Sequence, residues 1–483
     1  FLLSLMHDLT GYRPLQGVVL NALLTPVFLG LMFVVGNHFR RRSGGYLAVA
    51  LWATVPLFAM TATSAGFDLL NLVLILATVV AGYAYLERAD SRRMNILVLL
   101  GVLLAQTRYE SVLFVFAVAA LILGVWWLEK RVRISWTLVL APLLLVTYPL
   151  QRLIMNEYEQ FWQLREAGGS PFAAGFVMEN LGHAWDFFFS FGTQQPNSWL
   201  VSAFFILALV LLCFPLLKGR AMPFPNLSSA RVFAVFGGVI LVNFFLLMAY
   251  HWGQMDDIMA SRLALPFILL QVTVIVLVAG RLLPLSGRRA GWLLGCVLLF
   301  FVFFTRPQMA RTDYLPWTLK NEHLAFLDEV AEEMEGSNPL MISEPSLSWI
   351  LNLKSGILAD AALNFPERLE LHQRLRTFDG MYVVYLLPTQ RARVEQHQFL
   401  ALSARLKADY QKTFELEKVR EEKINDACYI RLSRIQSVRV PPGKRIELDA
   451  GPINVNYTGK MLFEQPAAIR QFVQSLPKSP NSQ

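Results

Sequence analysis

Ten apolar runs constrain the fold of this chain more than any other feature of its sequence. A transmembrane helix needs about 20 consecutive, mainly apolar residues, and most of the runs approach or exceed that length. They occupy residues 15–36, 46–62, 67–86, 95–106, 111–128, 135–150, 198–217, 232–250, 264–285 and 290–304. Only 16% of the residues are charged, against about 25% in soluble domains. The pattern predicts an α-helical polytopic membrane protein with about ten spans, the run at 95–106 being short for a crossing.

The loops between these runs alternate in charge. The basic loops fall at every second connection, at residues 38–43, 87–93, 129–133, 218–231 and 281–289. Because cytoplasmic loops are enriched in Lys and Arg, this set is predicted to face the cytoplasm and the remaining loops the outer side. The same bias explains the net charge of +8 without a nucleic-acid partner. Ten crossings place Phe1 outside, so a cytoplasmic N-terminus would need one more helix before it.

The composition changes to that of a soluble protein after Arg306. Amphipathic helical segments alternate with strand-like segments such as "PLMISE" and "GMYVVYLLP", which favours a small α/β domain. We predict a transmembrane domain over 1–305, a periplasmic α/β domain over 306–439 and an extended tail over 440–483.

Several common catalytic patterns are absent from the sequence. It contains no P-loop, no GxGxxG after a strand, no GxSxG, no HExxH and no paired Cys/His spacing. Nucleotide-driven chemistry is therefore not supported. The sequence predicts no metal-ligand set and requires no cofactor, but it leaves open whether a divalent metal takes part.

Polar side chains stand at the ends of apolar runs in two of the predicted outside loops. Arg108 and Glu110 lie where one run turns back into the next, and His251, Asp256, Asp257 and Arg262 lie between two others. Capping of helices and a solvated loop explain such residues without any function. Alternatively, an arginine there binds an anionic group, because its planar guanidinium matches the oxygens of a phosphate. Arg262 favours the second interpretation, since a charge at the mouth of a helix is costly without a partner.

The loop at 151–197 is also predicted to lie outside. Its segments "MNEYEQFWQLREAGG", which contains Tyr158, and "HAWDFFFSF" are aromatic and amphipathic. Such a segment is typical of a helix lying in the membrane interface, and it could also form the wall of a cleft for a lipid.

These segments, taken in order, resemble the GT-C superfamily of integral-membrane glycosyltransferases, which includes the protein O-mannosyltransferases and the lipid A aminoarabinose transferase. Residues 7–39 resemble the second membrane helix of the family, and residues 40–77 resemble its next step, with Pro56 and Asp68 in the expected places. "LLAQTRYESVLFV" is similar to the family's TRPE step, with Tyr109 in place of Pro. "DDIMASRLALPFIL" is similar to its RY-x-LP step, with Leu263 in place of Tyr.

This resemblance implies an inverting transfer of a sugar from a polyprenyl-phosphate donor to a glycan, lipid or protein acceptor, on the periplasmic face of a bacterial inner membrane. It implies that the catalytic base precedes Phe1. Arg108 and Arg262 are the candidates for binding the donor phosphate. The candidates for lining the pocket are Asp8, Asp68, Glu110, Tyr158, His251, Asp256 and Asp257.

Two other functions remain open at this point. A transporter or flippase of lipid-linked sugars would place charges near the middle of the bilayer, in helices broken by Gly or Pro. A non-catalytic member would use the same fold as a scaffold in an envelope complex.

Overall fold

The computed structural model describes residues 2–11, 16–146, 150, 172–190, 195–217, 224, 226–257, 260–282, 287–307, 315–344, 346–352, 354–388, 398–424, 428–446, 453–454 and 474–475. The chain forms two compact units, Phe1–Asp313 and Tyr314–Gln483. The predicted domain boundary at residue 306 lies close to the division between them.

The first unit is built from helices. They are α1 (Leu2–Thr10), α2 (Gln16–Ala53), α3 (Pro56–Ala62), α4 (Asp68–Glu87), α5 (Ser91–Ala105), α6 (Leu113–Glu129), α7 (Trp136–Leu140), α8 (Phe176–Phe189), α9 (Trp199–Leu217), α10 (Leu227–Met248), α11 (Leu265–Leu282) and α12 (Gly287–Phe300). Short 3-10 helices at Tyr109–Val112 and Ser261–Ala264 precede α6 and α11.

The predicted polytopic membrane fold is confirmed, with fewer full-length spans than apolar runs. In the described part of the chain, five helices are long and apolar enough to cross a bilayer: Gln16–Phe39, Asp68–Glu87, Tyr109–Glu129, Leu227–Met248 and Ser261–Gly280. A sixth span is counted if Arg42–Ala53 and Pro56–Ala62, which meet at 82°, are one broken crossing. The other four runs are not among these candidate spans: in the described part of the chain they contain α5 and the shorter apolar stretches Trp136–Val146, Trp199–Cys213 and Gly291–Thr305.

The predicted basic loop at 38–43 is a tight reversal inside α2. The helix assigned to Gln16–Ala53 consists of two segments, Gln16–Phe39 and Arg42–Ala53, and the rings of Phe33 and Tyr46, one from each segment, lie 5.2 Å apart. In a straight helix, 13 residues would separate them by about 20 Å. Gly36 permits the return, since a Cβ there would lie 2.5 Å from the Gly44 carbonyl oxygen.

Helix α4 lies in the interior of the first unit. Leu69, Leu72, Ile75 and Leu76 are almost inaccessible to solvent, and their spacing places them on one face of the helix. Helix α4 packs against α2, α5 and α10. The N-terminus of α4 is thereby held in place, and Asp68 is its first residue.

The second unit is an α/β domain, as predicted. Its five strands, β1 (Pro339–Ile342), β2 (Ser355–Ile357), β3 (Gly380–Pro388), β4 (Phe414–Lys423) and β5 (Cys428–Val438), form a sheet of order β2-β1-β3-β5-β4. The first three strands are parallel, and β5 is antiparallel to β3 and β4. Its helices are α13 (Leu315–Glu333), α14 (Ser346–Leu351), α15 (Ala359–Asn364), α16 (Pro366–Leu375) and α17 (Gln398–Thr413). In the predicted tail, the described strands Ile453–Asn454 and Gln474–Ser475 pair in parallel.

Candidate functional site

Asp68 joins two arginines from different parts of the chain. Arg108 Nη1 donates a hydrogen bond to Asp68 Oδ1, and Arg262 Nη1 lies 3.9 Å from Asp68 Oδ2. Arg108 Nε also lies 2.5 Å from Glu110 Oε1. We call Asp68, Arg108, Glu110 and Arg262 the charge cluster. The structure thus brings together both predicted phosphate ligands and two of the predicted pocket residues.

The loop before α4 is anchored from α2, and this fixes the position of Asp68. The Asn21 side-chain amide donates to the carbonyl oxygens of Ser64 (2.6 Å) and Gly66 (2.8 Å). Gly17 allows the close approach, because a Cβ there would lie 2.7 Å from the Cβ of Ala65. A buried amide on a membrane helix is costly without partners, and here both of its N–H groups bind backbone carbonyls.

The turn that carries Arg108 and Glu110 is tied to α4 by a second buried amide. Asn71 Oδ1 accepts hydrogen bonds from the hydroxyls of Thr107 and Ser111, both at 2.7 Å. Asn71 lies one helical turn after Asp68, on the same side of α4. Asn71 therefore holds the turn at Thr107 and Ser111, while Asp68 holds Arg108 between them.

Arg262 is positioned by hydrogen bonds that Asp257 accepts within the same loop. Asp257 Oδ1 accepts from the Ala260 amide at 2.9 Å, and the Asp257 carbonyl oxygen accepts from the Ser261 amide at 2.8 Å. These bonds start the short 3-10 helix that carries Arg262. The structure therefore gives Asp257 a local role in shaping this loop.

The members of the charge cluster differ in their exposure. The side chains of Asp68 and Arg108 are 7% and 8% exposed, whereas that of Arg262 is 33% exposed. Both nearest partners of Arg108 are carboxylates, and its guanidinium also lies 5.7 Å from the ring centre of Phe67. The four charges sum to zero, and Arg262 is the member with the loosest contact. It is therefore the cation most available to an anionic ligand.

Asp256 takes part in a separate contact. Its Oδ2 lies 2.8 Å from His183 Nδ1 on α8, and its carbonyl oxygen accepts from Gln195 at 3.1 Å. Asn180 on the same helix donates to the carbonyl oxygens of Met248 (2.9 Å) and Tyr250 (2.7 Å). Helix α8 thus fastens both ends of the loop that leads to Arg262.

The remaining predicted pocket residues are Asp8, His251 and Tyr158. Asp8 is exposed on α1, and the His251 ring packs 4.6 Å from the ring centre of Tyr250. Tyr158 lies outside the described residues. Among the residues that are described, no three His, Cys, Asp or Glu side chains are grouped to hold a metal ion.

Reasoning from the sequence did not single out Asn21, Asn71, Asn180 or His183. The three asparagines are buried, and each interrupts an otherwise apolar or amphipathic helix. A lone amide on an apolar face is the signal that could have found them, because it is stable there only with buried partners. The partners themselves could not be read from sequence, since they lie 36 to 70 residues away.

Neither a protein-family model nor a curated protein matches the chain. Two crystal structures are similar to it, both of ArnT from Cupriavidus metallidurans. The form bound to undecaprenyl phosphate has a TM-score of 0.47 and 11% identity, and it covers 88% of this chain and 85% of that chain. The apo form has a TM-score of 0.38 and 13% identity, with the same coverage. This likeness assigns no role to any residue here.

Proposed function

We propose that this chain is a membrane glycosyltransferase that uses a polyprenyl-phosphate sugar as its donor. The observation that carries the proposal is Arg262, partly exposed at a helix mouth beside the buried Asp68–Arg108–Glu110 set. The resemblance of the segments around Arg108 and Arg262 to two GT-C motifs supports the same function.

The chemistry of the donor requires a fixed cation. An acceptor hydroxyl oxygen attacks the anomeric carbon, the bond from that carbon to the phosphate oxygen breaks, and its electron pair leaves with the lipid phosphate. The acceptor proton passes to a base, to which we assign no residue. A single displacement of this kind inverts the anomeric centre. Negative charge grows on the phosphate as the bond breaks, so a preorganised cation stabilises the transition state.

The geometry favours different roles for the two arginines. Arg108 is buried between two carboxylates, so releasing it to a ligand would leave Asp68 and Glu110 unpaired in a poorly solvated site. Arg262 lies 3.9 Å from Asp68 and can turn toward a phosphate at smaller cost. We therefore assign the phosphate contact to Arg262 and the positioning of Asp68 to Arg108.

The proposal includes the periplasmic face of a bacterial inner membrane as the place of reaction. Asp68, Arg108 and Arg262 all lie at helix ends that the loop charges predict to be outside. The acceptor is a glycan, lipid or protein of the envelope.

The position of the charge cluster favours a transferase over a flippase. A flippase would place its charges within the span, whereas the four residues of the charge cluster lie at the ends of α4, α6 and α11.

Two measurements test the proposal. The first is binding of undecaprenyl phosphate, the lipid in the ArnT crystal structure, to the purified chain by native mass spectrometry. We expect Arg262→Ala to weaken this binding about 10- to 100-fold, because hydrogen bonds to charged groups contribute about 1.5–3 kcal/mol. The second is mass spectrometry of envelope glycolipids and glycoproteins from cells with and without the gene. We expect a sugar-bearing product that Arg262→Ala fails to restore.

Arg88→Ala is the matched control, because Arg88 is exposed at the opposite end of α4. It should bind the lipid and restore the product like the wild type. Equal binding by Arg262→Ala would contradict the phosphate contact. An envelope that does not change when the gene is removed would contradict the transferase.

A further inference from the structure

The second unit has a cavity of about 470 Å³ on one face of its sheet. The described residues that line it come from the carboxyl end of β3, from β4, from the start of β5 and from α17. They are Leu387, Pro388, Lys407, Glu421, Tyr429 and Arg431. The volume lies within the range of about 300–1,000 Å³ that is typical of small-molecule sites.

The alternation of side chains along β5 explains why polar groups face this cavity. Cys428, Ile430 and Leu432 pack with residues of α13 on one face of the sheet. The intervening Tyr429 and Arg431 point to the opposite face, on which α17 packs. Tyr429 is 36% exposed and the side chain of Arg431 is 26% exposed. Solvent therefore reaches an aromatic ring and a guanidinium group about 7 Å apart along one strand.

Arg431 is held by Glu421, its cross-strand neighbour on β4. Arg431 Nε donates a hydrogen bond to Glu421 Oε2 at 2.5 Å, and Arg431 Nη2 contacts the same oxygen. Lys418 Nζ lies 3.8 Å from the other oxygen of Glu421. The negative charge of Glu421 is therefore compensated. A guanidinium carries five N–H groups, more than this contact uses, so Arg431 retains donors for a ligand.

Lys407 is a further cation at the cavity. It lies on α17 and is partly exposed. Within the part of the chain that the structure describes, its ammonium group forms no ion pair and no hydrogen bond. Two cations, Lys407 and Arg431, and one carboxylate, Glu421, line the cavity, so its net charge is positive. Such a cavity favours an anionic ligand.

We propose that this cavity binds an acidic sugar, one that carries a carboxylate or a phosphate group. Lys407 pairs with the anionic group. The ring of Tyr429 packs against the C–H groups of the sugar ring, while Arg431 and Glu421 form hydrogen bonds with its hydroxyl groups. An inorganic anion would leave the Tyr429 ring without a contact. The inference concerns the second unit and does not rest on the proposed sugar transfer.

Saturation-transfer difference NMR of the full chain, in a detergent without a sugar headgroup, tests the site. The ligands are glucuronate, glucose 6-phosphate and glucose, and inorganic phosphate is added as a competitor. We expect saturable binding of at least one of the two acidic sugars. Glucose should bind at least about tenfold more weakly, because it lacks the charged group that pairs with Lys407. Inorganic phosphate at the same concentration should displace little of the acidic sugar.

Lys407→Gln should weaken binding of the acidic sugar at least about tenfold. Glutamine is a good helix former, so this variant is expected to fold. Lys412→Gln is the matched control and should bind like the wild type, because Lys412 is an exposed lysine of the same helix and is not among the residues that line the cavity.

Two variants of Tyr429 separate ring packing from hydrogen bonding. Tyr429→Phe keeps the ring and should bind like the wild type, whereas Tyr429→Ser should bind at least about tenfold more weakly. Absence of saturable binding of both acidic sugars would overturn the inference, as would equal affinity in Lys407→Gln. Full displacement by an equal concentration of inorganic phosphate would contradict recognition of the sugar.

Discussion

Arg262 and Arg108 approach different oxygens of the same carboxylate, Asp68 Oδ2 and Oδ1. The Arg108 contact is a buried hydrogen bond, whereas the Arg262 nitrogen remains 3.9 Å away and its side chain is one-third exposed. One aspartate thus holds a structural arginine tightly and a second arginine loosely. Under the proposed function, the looser contact is the one that the donor phosphate would replace.

Asp68 and Arg108 should be strongly coupled in stability. Asp68→Asn leaves a buried guanidinium with only Glu110 as its near carboxylate, and breaking a buried ion pair costs about 3–5 kcal/mol. Arg108→Gln should have a similar effect. The double variant should lose less than the sum of the single variants, because neither charge then remains unpaired. Thermal unfolding of the four proteins in detergent measures this, and additive losses would show that the two side chains do not interact.

Asn180 should stabilise the loop that precedes Arg262. Asn180→Ala removes the donor to the carbonyl oxygens of Met248 and Tyr250, at an expected cost of about 1–3 kcal/mol. Hydrogen exchange of peptides from residues 249–257 should increase in this variant. Gln254→Ala, which removes one exposed contact at 3.3 Å, is the control and should change little. Unaltered exchange in Asn180→Ala would show that α8 does not hold the loop.

Gly36 should be required for the reversal within α2. In Gly36→Ala the added methyl group meets the Gly44 carbonyl oxygen, so the two arms must separate, at a cost of about 1–3 kcal/mol. Gly30→Ala is a matched control on the same helix, because a Cβ at Gly30 has nothing within 4 Å. Gly30→Ala should leave the free energy of unfolding unchanged or raise it by up to about 1 kcal/mol, because alanine has a higher helix propensity than glycine. Equal melting temperatures for the two variants would argue against the reversal.

His372 should make the second unit sensitive to acid. Burial lowers the pKa of His372 from 6.5 to about 4, so the folded unit holds the neutral imidazole while the unfolded chain takes up a proton. The contribution of the neutral His372 to the free energy of unfolding is fully present above about pH 6.5. It decreases as the pH falls toward 4 and is constant below that. The loss is about 3 kcal/mol at 1.36 kcal/mol per pKa unit. Hydrogen exchange of β3 and β5 peptides, corrected for intrinsic rates, measures it.

The control for this effect is His372→Gln, which carries no titrating group at that position. It should be less stable near neutral pH and should lose most of the dependence between pH 4 and 6.5. An undiminished dependence in the variant would assign the acid sensitivity to other residues.

Several elements were predictable because their signals are local. The strands Pro339–Ile342 and Gly380–Pro388 follow apolar segments of the sequence closely. The basic residues at 38–43 marked the reversal between the two segments of α2, Gln16–Phe39 and Arg42–Ala53. Among the described residues, the short runs at 95–106 and 135–150 did not form full-length spans: α5 is 15 residues long and has Arg92 and Arg93 in its first turn, and the other run changes to a 3-10 helix at Ala141.

The candidate site was predictable only in part. Arg108, Glu110 and Arg262 stood out because charges at the ends of apolar runs are costly, and that cost is visible in the sequence. The grouping with Asp68 was not visible, since Asp68 is also a plausible first-turn residue of a helix. Asp256 and Asp257 were predicted to line a pocket, a role that remains a prediction. In the structure they bind His183 and the start of the Arg262 turn.

The sequence by itself determined that the chain is a helical membrane protein with an α/β unit, because hydrophobicity and its period act over a few neighbouring residues. Only the tertiary structure decided which arginine is buried and which is available. That distinction depends on Asp68 meeting Arg108 forty residues away and Arg262 still further along the chain. Contacts between such distant residues follow from the packing of whole helices, and no local pattern encodes them.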